Sequence, residues 1–322
     1  STIKLLAAIS ALENDVFNTK KIIRCTGSIE LYGEKFHCWK KKGHGYMDMR
    51  EGIKQSCDIY FYEVARLLGI DRLSETARNF GLGKQVLEGL VEERTGVVPN
   101  TSWKKRNIGK NWYLGETLHA GIGQGYWQTS PLQLCLMTAQ IANGGYEIKP
   151  RIILNKENEE ESKDLEKFLN EKKINSENNS SFEDFVFRYK YKNLFNNPEN
   201  IKFVQDALFG ATNEPGGTSF GSRLTKKDFV FAGKTGTSQV KRFTARQREL
   251  EIKNEDLPYK ERDHALFVAF APYKDPRYAI SVVIEHGGSG SKSAAPIAKK
   301  VIKKVLEKHP LREAKKSIGE TT

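Results

Sequence analysis

The sequence predicts an α/β or α+β fold in which a helical subdomain is followed by a sheet and one closing helix. Residues 1–150 repeat apolar side chains at helical spacing, whereas three later segments are short and rich in β-branched and aromatic residues: 229–240, 264–273 and 278–286. The segment 296–306 is amphipathic, so its apolar face is expected to cover the sheet.

Local signals justify the individual helices. Ile3 and Leu6 begin the first apolar pattern, and a second helix is predicted around 53–68. A third helix is predicted to begin at Pro131, because the hydroxyl of Ser130 can cap free amide groups and proline fits the first turn.

The chain is expected to form one domain with four parts. Residues 1–154 make the helical subdomain, and 198–308 make the sheet and the closing helix, with an Asp-Pro pair at 275–276 joining the last two strands as a hairpin. Residues 155–197 are rich in Glu, Lys, Asn and Ser, so we expect an exposed insertion, partly helical and partly disordered. A flexible tail is expected at 309–322.

Composition and charge exclude several classes of protein. Lys and Arg number 52 and Asp and Glu number 40, a formal net charge of +12 at pH 7, which favours contact with polyanions such as nucleic acid, anionic lipid or acidic wall polymer. The basic residues carry no known nucleic-acid-binding signature, so nucleic acid is not an expected partner. With 38% hydrophobic and 29% charged residues, and no apolar run long enough to span a bilayer, the chain is neither collagen-like, fully disordered nor a multi-span membrane protein.

Three short motifs that follow one another along the chain contain residue types used in catalysis. They are Ser1-x-x-Lys4, Ser56-Cys57-Asp58 and Lys234-Thr235-Gly236-Thr237. In the first motif, a spacing of three at the head of an apolar helix puts a hydroxyl and an amine on one face. A serine hydroxyl is a poor nucleophile, and a lysine kept neutral by burial or by neighbouring cations can take its proton. The motif therefore predicts an activated serine nucleophile.

The trio Ser-x-x-Lys, Ser-Asp-Asn and Lys-Thr-Gly is the signature of class A β-lactamases and penicillin-binding proteins. With the further stretches 39–45, 69–73 and 121–127, the chain resembles the penicillin-binding protein 2 family, the class B transpeptidases of cell elongation and rod shape, over all but the insertion and the tail. The resemblance implies a penicillin-binding transpeptidase or serine β-lactamase-like fold, an antiparallel sheet flanked by helices. It also implies a D,D-transpeptidase that cross-links peptidoglycan stem peptides ending in D-Ala-D-Ala through a serine acyl-enzyme, uses no catalytic cofactor and is inhibited by β-lactams.

The resemblance assigns roles to the first two motifs residue by residue. Ser1 is implied to be the acylated nucleophile, Lys4 its general base and Ser56 the proton relay toward the leaving D-alanine. Asp58 stands where most relatives have Asn. Because an ionised acid can only accept hydrogen bonds, we expect Asp58 to pair with a neighbouring lysine.

The third motif is implied to hold the substrate. Lys234, Thr235 and Thr237 would bind its terminal carboxylate, and the amides of Thr237 and Ser1 would form the oxyanion hole. Gly236 suits a strand that a ligand backbone approaches closely.

The resemblance also implies a cellular setting. It places the protein at the inner membrane with its catalytic domain in the periplasm, together with membrane proteins of elongation that include a glycosyltransferase. Relatives carry a cytoplasmic tail, a membrane anchor, a pedestal domain and two strands before the nucleophile. This sequence starts at Ser1, so we expect a truncated chain in which those N-terminal strands are missing.

A metal site is predicted beside the second motif. Three cysteines and a histidine would supply a tetrahedral Cys₃His zinc site: Cys25, Cys38, His44 and Cys57. Their gaps of twelve, five and twelve residues match no zinc-finger spacing, but members of the resembled family can hold a metal in this region. Because Cys57 adjoins Ser56, a structural zinc would fix the relay serine.

Two other interpretations of the cysteines stay open at this point. One is a disulfide, for example between Cys25 and Cys38, and the other is a set of free buried thiols. His37 is the reserve ligand if His44 points away, and Cys135, inside an apolar helix, is expected to be a core residue.

Alternative functions also stay open. A dinucleotide loop at 121–127 is rejected, because the glycines do not follow a strand and the next helix begins only at Pro131. Two interpretations remain for this run: a turn that brings Gln124 and Tyr126 near a cleft, and a purely structural turn. A β-lactamase or β-lactam sensor shares the three motifs, although no convincing Glu-x-x-Leu-Asn loop is present. A non-catalytic, zinc-stabilised module that binds the cell wall is the alternative of another class.

Overall fold

The computed structural model describes residues 1–31, 33–87, 90, 92–152, 192–241, 252 and 254–308. The expected insertion at 155–197 lies outside the described residues apart from 192–197, and the expected tail at 309–322 lies wholly outside them.

The described residues form nine α-helices: α1 (Ile3–Glu13), α2 (Met49–Lys54), α3 (Asp58–Leu68), α4 (Ile70–Asn79), α5 (Thr101–Ile108), α6 (Leu114–Gly121), α7 (Pro131–Ala142), α8 (Pro198–Asn213) and α9 (Ala295–Lys308). They form seven strands: β1 (Ile23–Cys25), β2 (Ser28–Leu31), β3 (Glu34–His37), β4 (Gly45–Met47), β5 (Ala232–Ser238), β6 (His264–Ala271) and β7 (Tyr278–Ile284). Of these described helices, none combines the length and the apolar character that crossing a bilayer requires.

Helix α1 lies inside the larger hydrophobic core, in agreement with the apolar pattern that predicted it. All ten residues from Ile3 to Leu12 are buried, as expected for a helix that is apolar on every side. The helix packs against α3, α4 and α8. Lys4 is its one charged side chain in this stretch, and a charge so deeply buried must find a partner.

The prediction of one helix over 53–68 is wrong, because the structure has two. Helix α2 begins after Asp48, whose side chain accepts a hydrogen bond from Glu51 N, and α3 begins only at Asp58. Between them Ser56 has a φ of 56°, in the left-handed region where a right-handed helix cannot continue. The second motif therefore lies on a corner between two helices.

The prediction of a helix from Pro131 is confirmed. Ser130 Oγ accepts a hydrogen bond from Gln133 N, and the Gln133 side chain accepts one from Ser130 N, both at 3.1 Å. This reciprocal pair is a capping box, and it satisfies two amide groups at the start of α7. The helix ends at Ala142, just before Asn143 and two glycines, which are typical of helix ends.

The description of residues 1–150 as mostly helical missed four short strands. Strand β1 pairs antiparallel with β4, and β2 pairs antiparallel with β3. Each has only three or four residues, too few for an alternating pattern to be recognised in the sequence. These strands place Cys25 and Cys38 beside the start of α3.

The sheet has the order β5-β6-β7 with antiparallel pairing, and the predicted hairpin of its last two strands is confirmed. Successive residues of β6 alternate between two cores, because side chains of a strand point to opposite faces. Val268 and Phe270 join the larger core with α1, while Phe267 and Ala269 join a smaller core under α9. Helix α9 covers the sheet as predicted, which gives the expected antiparallel sheet flanked by helices.

Candidate active site and cysteine–histidine cluster

The three sequence motifs meet at one open cleft of about 1330 Å³ between the helical part and β5. Six of the predicted site residues line the cleft: Ser1, Ser56, Asp58, Thr235, Gly236 and Thr237. Lys4 and Lys234 are fully buried next to them. The structure therefore brings together all eight residues predicted for catalysis and substrate binding.

The Lys4 amine joins the first motif to the second. Its Nζ lies 2.7 Å from Asp58 Oδ1, 2.9 Å from Ser56 O and 3.1 Å from Ser56 Oγ. The expected pairing of Asp58 with a lysine is therefore confirmed. Ser1 faces the same cleft one helical turn earlier, since Lys4 N donates to Ser1 O at 3.3 Å.

The left-handed backbone of Ser56 is held by donors from two directions. Its carbonyl oxygen accepts from Lys4 Nζ at 2.9 Å and from Trp39 Nε1 at 3.0 Å. The Trp39 backbone amide donates to Asp58 Oδ2 at 2.8 Å. A non-glycine residue with positive φ is uncommon and costs free energy, and these hydrogen bonds offset that cost. The corner aims the Ser56 hydroxyl at both Lys4 and the cleft.

The third motif occupies β5, which forms one wall of the cleft. Lys234 Nζ donates to Thr235 O at 3.2 Å. Complete burial, and after it the nearby Lys4, holds the pKa of Lys234 well below its usual value. At Gly236 a Cβ would lie 3.3 Å from Leu266 Cβ and 3.4 Å from Thr2 Cγ2. The close neighbours at this position are therefore side chains of the protein itself, and one of them, Thr2, directly follows the predicted nucleophile.

The glycine run at 121–127 forms a turn that reaches the cleft. Gly123 has a φ of 79°, which favours glycine because the left-handed region is strained for other residues. Gln124 lines the cleft and its Nε2 donates to Thr237 O at 3.2 Å, so the prediction for Gln124 is confirmed. Tyr126 packs instead on Trp103, with ring centroids 5.2 Å apart, and is not among the cleft residues.

Thr218 is one of the cleft residues that sequence reasoning missed. Its Oγ1 accepts a hydrogen bond from Thr235 Oγ1 at 3.0 Å, and both residues line the cleft. A single threonine after two glycines carries no motif. The signal that was available, a glycine-rich turn shortly before the third motif, indicated a turn but no particular side chain.

The four predicted metal ligands form a cluster next to the second motif. One ligand atom from each of Cys25, Cys38, His44 and Cys57 lies within 4.8 Å of all the others. His44 Nδ1 is 3.5 Å from the Sγ atoms of both Cys25 and Cys38, so His44 and not the reserve His37 faces the sulfurs. All cysteines are free thiols.

This donor set fits a tetrahedral zinc ion. With Zn–S bonds of about 2.3 Å and Zn–N bonds of about 2.0 Å, a sulfur and a nitrogen on one tetrahedron are about 3.5 Å apart. The hydrogen bond between Cys57 and Cys38 lowers the pKa of Cys38 and raises the pKa of Cys57, so without a metal Cys38 is the sulfur of this pair that more readily becomes the metal-binding thiolate. Cys135 lies outside the cluster, partly buried, with its Sγ 3.5 Å from Ala279 O.

A serine and a lysine on one helix, a second serine on a corner and a Lys-Thr-Gly strand around one cleft define the class of penicillin-binding and serine β-lactamase-like domains. Residues 1–303 match the family described as penicillin binding protein transpeptidase domain. The chain therefore belongs to the penicillin-binding protein transpeptidase family.

Individual relatives agree with this assignment. The chain is 34% identical over 304 residues to the peptidoglycan D,D-transpeptidase MrdA of Salmonella typhimurium, covering 94% of this chain and 45% of the relative. It is 34% identical over 324 residues to MrdA of Acinetobacter baumannii, covering 99% and 44%. The chain thus spans somewhat less than half the length of these curated relatives.

Solved structures of relatives superpose well. The complex between the penicillin-binding protein PBP2 and MreC from Helicobacter pylori matches with a TM-score of 0.77 and 29% identity, over 97% of this chain and 50% of that one. PBP2 of Pseudomonas aeruginosa in complex with WCK 5153 matches with a TM-score of 0.73 and 31% identity, over 95% and 60%.

Proposed function

We propose that this domain is a peptidoglycan D,D-transpeptidase that acts through a serine acyl-enzyme and is covalently inhibited by β-lactams. The observation that carries the proposal is the position of the Lys4 amine. It lies between Ser56 and Asp58 in a cleft that Ser1 and the Lys-Thr-Gly strand also line. Curated relatives named as D,D-transpeptidases support the substrate class.

In the first half of the reaction, Ser1 Oγ attacks the carbonyl carbon of the penultimate D-Ala of a stem peptide. An ester to Ser1 forms, and the bond to the terminal D-Ala nitrogen breaks. The Ser1 proton passes to Lys4. Lys4 can accept this proton only as a neutral amine, and in that form it would still donate to Asp58 Oδ1 and Ser56 O and keep its lone pair for a hydroxyl proton. The Ser56 hydroxyl, 3.1 Å from that amine, carries a proton on to the leaving nitrogen.

In the second half, the amine of another stem peptide attacks the ester and forms the cross-link, and Ser1 regains its proton. The backbone N–H groups of Thr237 and Ser1 stabilise the oxyanion in both halves, and the Lys-Thr-Gly strand holds the terminal carboxylate in the first. Gln124 braces Thr237 from the opposite side of the cleft.

Covalent labelling of Ser1 tests the proposal. The chain is incubated with a fluorescent penicillin and its intact mass is measured, together with a Ser1→Ala variant and with Ser102→Ala, a serine exposed on α5, as matched control. We expect a single adduct that persists for many minutes in the wild type and in the control but is lost in Ser1→Ala. The same assay is run on a polypeptide extended upstream of Ser1.

The outcomes separate the alternatives. An adduct that hydrolyses within seconds would favour a β-lactamase, which needs a carboxylate base for deacylation. Among the described residues, Glu93 in the loop after Leu87 is not such a base, because it does not line the cleft and its Oε2 accepts hydrogen bonds from the amides of Val86 and Leu87. No adduct in either polypeptide would favour the non-catalytic wall-binding module.

We propose that the protein works with membrane proteins of cell elongation, including a glycosyltransferase, at the inner membrane with this domain in the periplasm. One related structure is a complex of PBP2 with MreC, and another describes coordination of polymerization and crosslinking by a peptidoglycan synthase complex. These assemblies are those of the relatives, and they support a similar setting for this chain.

We also propose that the cysteine–histidine cluster holds one structural zinc ion. Four protein ligands would fill its coordination sphere: Cys25, Cys38, His44 and Cys57. Zinc would supply four bonds that hold the start of α3 and thereby the corner at Ser56, and no position would remain for a reactive water.

A further inference from the structure

The loop between α8 and β5 brings a hydroxyl to the cleft that none of the three motifs includes. Thr218 lines the cleft together with Ser1, Ser56 and Thr237. The residue is half-buried, so part of its surface faces the cleft.

The hydroxyls of Thr218 and Thr235 form a pair. Their Oγ1 atoms are 3.0 Å apart, with Thr235 donating to Thr218. Each hydroxyl has one proton, and one of the two protons is used within the pair. In this arrangement the hydroxyl proton of Thr235 is used in the hydrogen bond to Thr218. The hydroxyl proton of Thr218 is therefore the one that can be donated to a ligand.

Backbone contacts fix the position of Thr218. Its amide donates to Lys54 O at 3.3 Å, at the end of the helix that precedes the Ser56 corner. The next amide, Ser219 N, donates to Ala211 O at 3.0 Å. At Gly217 a Cβ would lie 2.5 Å from Gly210 O, so the close packing of this loop on α8 excludes a side chain there. The hydroxyl is held in place before a ligand arrives, which reduces the entropy lost on binding.

Two amines are buried behind this part of the cleft, those of Lys4 and Lys234. Lys4 is paired with the Asp58 carboxylate, whereas burial lowers the pKa of Lys234, so an anion bound beside Lys234 would stabilise its protonated form. Lys234 Nζ lies 3.2 Å from the carbonyl oxygen of Thr235. A carboxylate is an acceptor and cannot donate, so it requires the free hydroxyl proton of the threonine pair.

We propose that Thr218 is a specificity-determining residue that donates its hydroxyl proton to the terminal carboxylate of the substrate peptide, with Thr235 supporting it from behind. This assignment deepens the proposed function and depends on it. It predicts that the protein distinguishes a free carboxylate from a neutral ester at this position, and that Thr218 is the side chain responsible for much of the difference.

The test compares benzylpenicillin with its methyl ester, in which an uncharged ester replaces the carboxylate. Second-order acylation rate constants are measured for the wild type, Thr218→Val, Thr218→Ser and Thr225→Val, the last being an exposed threonine seven residues along the same segment. Loss of one charge-assisted hydrogen bond corresponds to a fall of about tenfold. We expect Thr218→Val to lose about tenfold with the free acid and less than about twofold with the ester, and Thr218→Ser and Thr225→Val to behave like the wild type.

Equal losses with acid and ester in Thr218→Val would mean a structural role and would overturn the assignment, as would the absence of any loss with the acid. Failure of Thr218→Ser to preserve the preference for the acid would also count against it. If the wild type itself formed no adduct with either compound, both the proposed function and the role of Thr218 would be rejected. Acylation of the wild type without a selective effect at Thr218 would remove this assignment alone.

Discussion

The Asp58 carboxylate accepts hydrogen bonds from two donors in different parts of the cleft. Oδ1 accepts from Lys4 Nζ at 2.7 Å and Oδ2 accepts from Trp39 N at 2.8 Å. An asparagine would offer one acceptor oxygen and would turn its amide group toward the other donor. The acid is therefore the side chain of this size that satisfies both donors, and its charge compensates the buried Lys4.

Substitution of Asp58 tests this account. We expect Asp58→Asn to lower the free energy of unfolding by about 1 to 3 kcal/mol, because one donor loses its acceptor. Asp58→Ala should cost more, about 3 to 5 kcal/mol, because Lys4 is left buried without a counter-ion. Urea unfolding at neutral pH measures both, with the exposed Asp228→Asn as control. An Asp58→Asn variant as stable as the wild type would show that the second acceptor has no energetic role.

At this scale the sequence predicted which residues form the site but not how they are held. Ser1, Lys4 and the Lys-Thr-Gly strand are recognisable because the spacing within each motif is local. The positive φ of Ser56 could not be predicted, because it depends on donors from Lys4 and from Trp39 that arrive through the tertiary fold. Thr218 was missed for the same reason.

Between elements, a cluster of charged side chains links α2, the helix before the Ser56 corner, to α8, the helix before β5. Arg50 of α2 donates to Asp206 Oδ2 at 2.5 Å and to Glu214 Oε1 at 2.6 Å, and Lys54 Nζ lies 3.0 Å from Glu214 Oε2. Glu214 directly follows α8 and precedes the turn that carries Thr218. This contact holds two walls of the cleft at a fixed separation.

The Glu214 carboxylate should make stability depend on pH in the acid range. The hydrogen bond from Arg50, followed by that from Lys54, lowers the pKa of Glu214 to about 2, below the value of about 4.3 in an unfolded chain. A lowered pKa means that the contribution is fully present above about pH 4.3 and is lost as the pH falls toward 2. Glu214→Gln should therefore cost about 1 to 2 kcal/mol at pH 7 and progressively less below about pH 4.

Chemical denaturation between pH 7 and pH 3 measures this difference. Glu199→Gln, at the other end of α8, is the matched control. Both side chains of the Glu199–Lys202 pair are exposed, so this pair should contribute less than about 1 kcal/mol. A Glu214→Gln variant whose deficit is constant from pH 7 to pH 3 would contradict the assigned role of the carboxylate charge.

Long elements with strong local signals were predictable from the sequence, and short ones were not. The capping box of α7, the β6–β7 hairpin and the amphipathic α9 each carry their signal within a few residues. The strands β1 to β4 carry too few residues for a pattern. The break between α2 and α3 lies in the mostly polar stretch 54–58, but apolar residues on both sides of it recur at helical spacing and favour one continuous helix.

At the scale of the whole molecule, the cysteine–histidine cluster joins parts that are otherwise linked by little regular structure. Its ligands come from the end of β1, the residue after β3, the loop before β4 and the N-cap of α3. These strands are short and form two-stranded sheets, and an isolated pair of strands has marginal stability in water. We therefore expect the region of residues 23–47 to depend on bonds at the cluster for its position against α3.

Metal analysis and a pair of matched cysteine variants test this dependence. We expect the purified protein to carry about one zinc ion per chain, and Cys25→Ser to lose the metal and several kcal/mol of stability, because binding of a structural metal contributes directly to folding. Cys135→Ser, a cysteine outside the cluster, should keep both. Counting thiols after denaturation with a chelator should give four. Two thiols would indicate a disulfide, and four thiols in a protein that binds no zinc and melts at the same temperature as Cys25→Ser would show that the cluster is a set of ordinary buried thiols.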